Sequence, residues 1–285
     1  MIYKYSISQT GTDHIKHGIV NQDYVKTKVI NDSVAVAIVA DGLGSAELSD
    51  IGSRLAVEYS MKSIEMSLNN SITDFNMLDY IRTAFIAAYK AVELESENND
   101  NSIELYDTTL TMAVLINSTL FYGHSGDGGI IALTTKGTYE QVTNQQRDTM
   151  GRVFPLFFTD KWEFGEYEKK VCAVLLATDG MLEPFFPIYL KDEEVKIHVS
   201  LAEFFMDNGI DEYGEEETTA RIGDYISKIS SVSDDKTIAV LINTKIKPDE
   251  QPDEYYKEPD WKKLKAEHSK KWRKLAYPGL FGDST

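Results

Sequence analysis

Five short aspartate-containing motifs follow one another along this chain, and each lies where a strand-like run meets a turn. The apolar run 34–40 ends on Asp41, and the run 171–177 ends on Thr178 and Asp179. Apolar runs of this length between turn residues predict buried strands, so their ends bring carboxylates to the edge of a sheet. The motifs are Asn21-Gln22-Asp23, Asp41-Gly42-Leu43-Gly44, Gly126-Asp127-Gly128, Thr178-Asp179-Gly180 and Asp234-Asp235-Lys236-Thr237.

Aspartates that converge on one sheet edge need positive charge between them. Like charges that share a site repel and raise one another's pKa, and a bound divalent cation removes that cost. An isolated Asp-Gly pair is a common turn, so each aspartate taken alone predicts a turn or cap residue. The ordered set of five predicts a divalent metal site.

The five motifs, which span residues 11–243, resemble those of the metal-dependent protein serine/threonine phosphatases of type 2C, the PPM family. The resemblance is closest to the compact bacterial branch. It implies an α+β fold, a four-layer α-β-β-α sandwich with two mainly antiparallel sheets flanked by helices. It also implies that phosphoserine and phosphothreonine on proteins are hydrolysed by a metal-bridged hydroxide, without a phospho-enzyme.

The hydrophobic periodicity agrees with antiparallel sheets covered by helices. Strand-like segments occur in neighbouring pairs, with two amphipathic helices between the second and third motifs, and this order does not suit a parallel βαβ layout. A turn is expected at residues 11–13, a break between the two helices at 69–71, a loop at 95–102 and a helix at 215–229. Residues at helical spacing mark the two amphipathic helices: Val57, Met61, Ile64 and Leu68 in the first, and Ile81, Phe85, Ala88 and Val92 in the second.

The resemblance also implies a role for each principal aspartate. Asp41 matches the residue that bridges two metal ions, and the backbone carbonyl of Gly42 matches a ligand of one of them. Asp179 and Asp234 match ligands of the other ion. Asp235 is expected to turn the chain or to act through water.

Two further aspartates have looser roles in the family pattern. Asp23 matches a residue that acts through metal-bound water, and Asp127 matches a position used for a third ion in bacterial members. An all-oxygen ligand set suits hard cations and does not suit zinc. The expected cofactors are therefore two Mn²⁺ or Mg²⁺ ions, with a third at Asp127.

The substrate side of the site departs from the broader family. Gly18 stands where an arginine usually grips the phosphate, whereas His14 fits the bacterial version of this motif. His14 is a candidate for phosphate contact or for proton delivery to the leaving oxygen, and a surface histidine without a role is the alternative. Arg147 and Arg152 lie in the region 137–168, where bacterial members carry a flap. Either could contact a substrate phosphate or remain solvated.

Composition restricts the class of partner. A net charge of −17 argues against a nucleic-acid partner. No apolar run is long enough to span a membrane, and the first residues lack the apolar stretch of a secretory signal. The chain has a single cysteine, Cys172, so an internal disulfide is excluded. Cys172 lies in a predicted buried strand. We therefore expect a cytoplasmic enzyme whose partner is a phosphorylated protein, the substrate of a serine/threonine kinase.

The composition of the chain changes after residue 244. This change predicts a phosphatase domain over 1–244 and a tail over 245–285. Residues 245–260 are rich in proline and acid, as in a linker. An amphipathic helix with a basic outer face follows, with Trp261 and Trp272 on one stripe. This helix could dock on the acidic body of the protein, or it could serve as an arm that binds a partner.

Two alternatives to the enzyme remain on sequence grounds. The missing arginine at Gly18 and the tryptophan-bearing tail would suit a pseudophosphatase that binds a phosphorylated partner without hydrolysis. A metal-dependent nuclease or phosphodiesterase would share the carboxylates, although the chain has no evident basic groove. Retention of the principal aspartates favours the phosphatase.

Overall fold

The computed structural model describes residues 1–69, 76–191 and 193–276, and these residues form ten strands and eight helices. The strands are β1 (Ile2–Gln9), β2 (Asp23–Asn31), β3 (Val34–Asp41), β4 (Leu110–Ile116), β5 (Thr119–Ser125), β6 (Gly129–Thr134), β7 (Tyr139–Gln141), β8 (Glu163–Glu166), β9 (Val171–Ala177) and β10 (Lys236–Asn243). The helices are α1 (Thr12–His17), α2 (Ser49–Asn69), α3 (Met77–Asn98), α4 (Asp179–Phe185), α5 (Val199–Met206), α6 (Ile210–Ser227), α7 (Asp253–Tyr256) and α8 (Trp261–Ala276).

The strands form two five-stranded antiparallel sheets. One has the order β1-β10-β9-β6-β7 and the other the order β2-β3-β4-β5-β8. The central strands β3, β4, β9 and β10 are buried along nearly their whole length. This is why they read as continuous apolar runs in the sequence.

Side chains alternate between the two faces of each central strand. In β3, Ala35, Ala37 and Val39 belong to the core between the sheets, while Val36 and Ile38 belong to the core shared with α2 and α3. This period of two is the geometry of a strand that is covered on both sides.

Helices cover the outer face of each sheet. Phe85 and Ile81 of α3 pack with Met61 of α2 against the second sheet. Phe205 of α5 and Ile222 of α6 pack against the first. The four-layer sandwich expected from the sequence is confirmed.

Two local expectations were wrong. The turn expected at residues 11–13 is the start of α1, which ends at Gly18 in the left-handed conformation (φ 69°), a common helix terminus. The loop expected from Glu95 begins only after α3 ends at Asn98. The helix expected over 215–229 is present as the second part of α6, which follows a non-helical Gly214 and ends at Ser227. The predicted break at 69–71 includes residues 70 and 71, which lie outside the described residues.

The first part of the tail lies along the β6–β7 hairpin. The Asp249 amide donates to the Thr135 carbonyl (2.9 Å), and the Tyr139 amide donates to the Tyr255 hydroxyl (2.8 Å). In α8, the Trp261 ring stacks on His198 with 4.6 Å between centroids, whereas Trp272 is 58 % exposed. The tail thus contacts the body through residues expected to form a linker, and the boundary at 244 stays a prediction.

Among the described residues, none of the helices has the length and hydropathy needed to cross a membrane.

Candidate metal centre

The ends of β2 and β3 place two aspartates side by side. Asp23 and Asp41 are directly opposite each other in the antiparallel register. The backbone of Asp41 is held by Thr109, whose hydroxyl accepts from the Asp41 amide (2.9 Å) and whose amide donates to the Asp41 carbonyl (2.8 Å). Asp23 accepts a hydrogen bond from the hydroxyl of Thr178 (2.8 Å), which directly follows β9 of the other sheet.

The other sheet delivers its aspartates to the same edge. Asp179 is the first residue of α4, directly after β9, and Asp234 stands just before β10. Because β9 and β10 are antiparallel neighbours, the end of one and the start of the other lie together. Gly180 allows this approach, since a Cβ there would lie 2.2 Å from the Asp235 carbonyl oxygen. Asp127 lies in the short loop between β5 and β6.

The result is a group of carboxylates close enough to share one ion. Asp41, Asp127 and Asp179 each offer an oxygen, and these oxygens all lie within 4.8 Å of one another. The residues come from three separate motifs, and the first and the last of these aspartates are 138 positions apart in the chain (179 − 41). The sheets, and not local sequence, bring them together.

The electrostatics of this group indicate a deficit of positive charge. Burial, followed by repulsion from neighbouring aspartates such as Asp235, raises the pKa of Asp23 to about 8. The pKa of Asp41 is raised well above its ordinary value, first by burial and then by Asp23 and Asp179. Burial and the charge of Asp179 raise the pKa of Asp127 to about 7. Ionised carboxylates in such a place need a cation, so these residues fit a divalent metal.

Gly42 is placed where only a glycine fits. Its amide donates to the Gln22 carbonyl (3.1 Å), and a Cβ would lie 2.6 Å from the carbonyl oxygen of Ser49. A contact that short would force the backbone apart. The close approach keeps the Gly42 backbone beside Asp41, at the position that the family pattern gives to a carbonyl ligand.

The two flap arginines have different positions. The Arg147 guanidinium contacts the carboxylates of Asp127 and Asp179, the latter at 3.2 Å. Arg152 pairs instead with Asp148, four residues away (2.7 Å), and its side chain is 75 % exposed. Although both were candidates for phosphate contact, only Arg147 lies among the aspartates.

His14 lies beside Asp235 rather than on an open surface. Its Nδ1 is 3.0 Å from Asp235 Oδ1, an ion-pair distance without the alignment of a hydrogen bond. Asp235 is buried, and its carboxylate also accepts from the amides of Gly11 and Gln22, both at 2.7 Å. Burial raises the pKa of the neighbouring Asp234, and among the smaller influences the charge of His14 lowers it. His14 is therefore near the aspartate group.

The part played by Asp235 differs from the sequence expectation of a turn or water-mediated residue. Its carboxylate joins the start of α1, the residue before Asp23 and the His14 ring. No local pattern signals this arrangement, because all three partners lie more than 210 residues earlier in the chain. Thr109 and Thr178, which hold Asp41 and Asp23, were likewise not identified from the sequence.

Comparison with known proteins agrees with this geometry. The family model described as Protein phosphatase 2C matches residues 10–216. The chain belongs to the protein phosphatase 2C family. As a member of this family it is a metal-dependent protein serine/threonine phosphatase. The same comparison confirms the family predicted from the five motifs.

Solved structures of protein phosphatase 2C type share the fold at low identity. The catalytic domain of the serine/threonine phosphatase PstP, solved with two manganese ions, is 18 % identical (TM-score 0.57, 85 % of this chain and 97 % of that chain). PppA of Pseudomonas aeruginosa is 16 % identical (0.57, 85 % and 97 %), and the S. agalactiae serine/threonine phosphatase is 13 % identical (0.57, 85 % and 99 %). No curated protein sequence matches the chain significantly.

The raised pKa values predict how the stability of this phosphatase depends on pH when metal is chelated. Asp23 and Asp127 have pKa values of about 8 and about 7 in the folded protein, against 3.8 as ordinary values. Their contribution to stability is complete below the ordinary pKa and is lost as the pH rises through the folded values. In excess chelator we expect the melting temperature to fall between pH 5 and pH 8.

The Asp23→Asn variant isolates this effect. It should melt about 4 °C or more above the parent at pH 8 in chelator, since 1 kcal/mol corresponds to about 2–4 °C in a chain of this size. Excess Mn²⁺ should remove most of the difference. Differential scanning calorimetry gives the measurement, and equal pH profiles for parent and variant in chelator would contradict it.

Proposed function

We propose that this phosphatase removes phosphate from phosphoserine and phosphothreonine side chains of proteins, with two Mn²⁺ or Mg²⁺ ions held by Asp41, the Gly42 carbonyl, Asp179 and Asp234. The observation that carries the proposal is the group of three carboxylates within 4.8 Å, with its raised pKa values. Oxygen donors alone suit these two hard cations. The two manganese ions of PstP support the same number here.

The metal ions, when bound, activate a water molecule for attack on phosphorus and offset the charge that grows on the phosphoryl oxygens. Asp41 would hold the shared position, because its backbone is fixed to Thr109, the residue before β4, and its carboxylate lies within reach of both Asp127 and Asp179. Asp23, which faces Asp41 across the register, would orient water at the metal centre. Asp127 offers the further, looser position.

His14 is the residue we propose to deliver the proton to the serine or threonine oxygen as it leaves. The Asp235 carboxylate, held by two backbone amides, fixes the side of the ring that carries Nδ1. A proton donor in this position contributes most when the leaving group is a poor one. Because water attacks the phosphorus, no side chain has to form a covalent intermediate. Cys172 is buried, and burial raises the pKa of its thiol to about 11.

A cavity next to the aspartates offers space for the peptide around the phosphorylated residue. Its volume is about 690 Å³, and Asp179 lies in its wall. Asn144, Gln145, Lys191 and Lys196 also line it. These groups suit a polar peptide backbone. We expect the substrates to be products of serine/threonine kinases in the cytoplasm.

The test uses a phosphoserine peptide and the purified full chain. Phosphate release should require added Mn²⁺ or Mg²⁺, disappear with excess EDTA and return when metal is restored. Release that survives chelation would refute the proposal. Mn²⁺ binding and tight phosphopeptide binding without release would favour the pseudophosphatase, an alternative that no feature of the described site supports.

A further inference from the structure

Arg147 contacts two of the three carboxylates that could share one metal ion. Its guanidinium pairs with Asp127 Oδ2 and, at 3.2 Å, with Asp179 Oδ2. Asp127 is buried, and its pKa, raised by burial and by Asp179, is lowered by this arginine. A positive charge from the protein itself thus already lies at one corner of the aspartate group.

The backbone around Arg147 holds it in that place. The neighbouring Gln146 exchanges hydrogen bonds with Gly126, through its amide to the Gly126 carbonyl (2.8 Å) and from the Gly126 amide to its side chain (3.1 Å). The side chain of Gln145 donates to the Asp127 carbonyl (2.9 Å). Three consecutive residues therefore fasten this segment to the loop that carries Asp127.

The far side of Arg147 is tied to a small hairpin. Arg147 forms an isolated β-bridge with Val153, and its other terminal nitrogen donates to the Gly151 carbonyl (3.1 Å). Gly151 has a positive φ of 82°, as a tight turn requires. The guanidinium thus joins the hairpin 147–153 to the carboxylates.

A guanidinium and a metal ion cannot use the same carboxylate oxygens at the same time. Arg147 takes Asp127 Oδ2 and Asp179 Oδ2, and a cation at the corner formed by these two residues would need oxygens from the same carboxylates. A guanidinium and a cation bound to the same pair of carboxylates would also repel each other strongly in a partly buried site. The arginine and a cation at Asp127 therefore compete for the same two carboxylates.

We propose that Arg147 is a built-in competitor for the cation position at Asp127 and Asp179. It neutralises this corner at low metal concentration, and a metal ion that enters there displaces it. Arg147 therefore sets the affinity of the loosest metal position, and its displacement releases the hairpin 147–153 from the carboxylates. The inference rests on the proposed function, since it assumes that metal ions occupy the neighbouring positions.

Calorimetric titration with Mn²⁺ tests the competition directly. In Arg147→Gln the weakest binding event should become about tenfold tighter, because the competing charge is gone. Arg147→Lys keeps a positive charge and should fall between this variant and the parent. Arg152→Gln is the matched control, since Arg152 lies in the same hairpin but pairs with Asp148 and not with the clustered aspartates of the described site. Its isotherm should equal that of the parent.

A second variant tests whether the weakest Mn²⁺ binding event takes place at Asp127. Asp127→Asn should abolish the weakest event in the parent and equally in the Arg147→Gln background. An unchanged isotherm in Arg147→Gln would overturn the inference. Should that unchanged isotherm come with a raised KM for a phosphopeptide, Arg147 is a phosphate contact instead.

These results separate this inference from the proposed function. If the parent and all variants bind Mn²⁺ alike and hydrolyse the phosphopeptide only with metal, the competition is wrong and the proposed function stands. If the parent binds no Mn²⁺, both are wrong.

Discussion

Asp41→Asn is expected to lower phosphopeptide turnover by about 10³-fold or more at saturating Mn²⁺, because several kcal/mol of charge stabilisation depend on the shared ion position. Asn keeps the shape of the side chain and one oxygen, but it removes the negative charge within 4.8 Å of Asp127 and Asp179. Steady-state kinetics over a range of Mn²⁺ concentrations measures the loss. It should persist when the metal concentration is raised a hundredfold.

The same variant should be more stable than the parent in chelator. Burial and the neighbouring aspartates raise the pKa of Asp41 well above its ordinary value, so its ionised form is disfavoured in the folded protein. Loss of activity with an unchanged or raised melting temperature would place the defect in the chemistry and not in folding. Asp224→Asn on the exposed face of α6 is the control and should change neither quantity. Near-normal turnover in Asp41→Asn would contradict the assignment.

His14→Gln is expected to lower turnover of a phosphoserine peptide by about 10²-fold, within the range that a positioned proton donor contributes. Hydrolysis of p-nitrophenyl phosphate should fall far less, because nitrophenolate leaves without a proton. His17→Gln is the matched control, since His17 lies on the same short helix, α1, and is exposed, with its Nδ1 at the Asp13 carbonyl of its own helix. It should hydrolyse both substrates at the rate of the parent.

Asp235→Asn tests whether this carboxylate acts by positioning His14. Asn can accept from one of the two amides of Gly11 and Gln22, but it cannot pair with the imidazole as a charge. We expect a smaller loss than in His14→Gln, again concentrated on the phosphoserine substrate, and little further loss in the double variant. Equal losses on both substrates would show instead that Asp235 supports only the structure of the site.

Sequence patterns predicted antiparallel sheets covered by helices, and the resemblance to the family added the four-layer sandwich. The central strands are covered on both faces, and α2 and α3 are covered on one face. The apolar periodicity of the chain therefore indicates which of their residues are buried. Asp41 and Asp179 lie directly at the ends of such strands. Their place at one edge of the sandwich therefore followed from strand boundaries together with the resemblance to the family.

Tertiary structure alone decided which polar side chains meet. Arg147 and Arg152 are five positions apart in one loop and look equivalent in sequence, yet one contacts the aspartates and the other contacts Asp148. Asp234 and Asp235 are adjacent and chemically identical, yet it is the side chain of Asp235 that accepts from Gly11 and lies beside His14. Periodicity reports whether a side chain is covered, because burial repeats with the helix or strand. It carries no information on which distant partner covers that side chain, because that depends on how the two sheets bring together residues more than 200 positions apart.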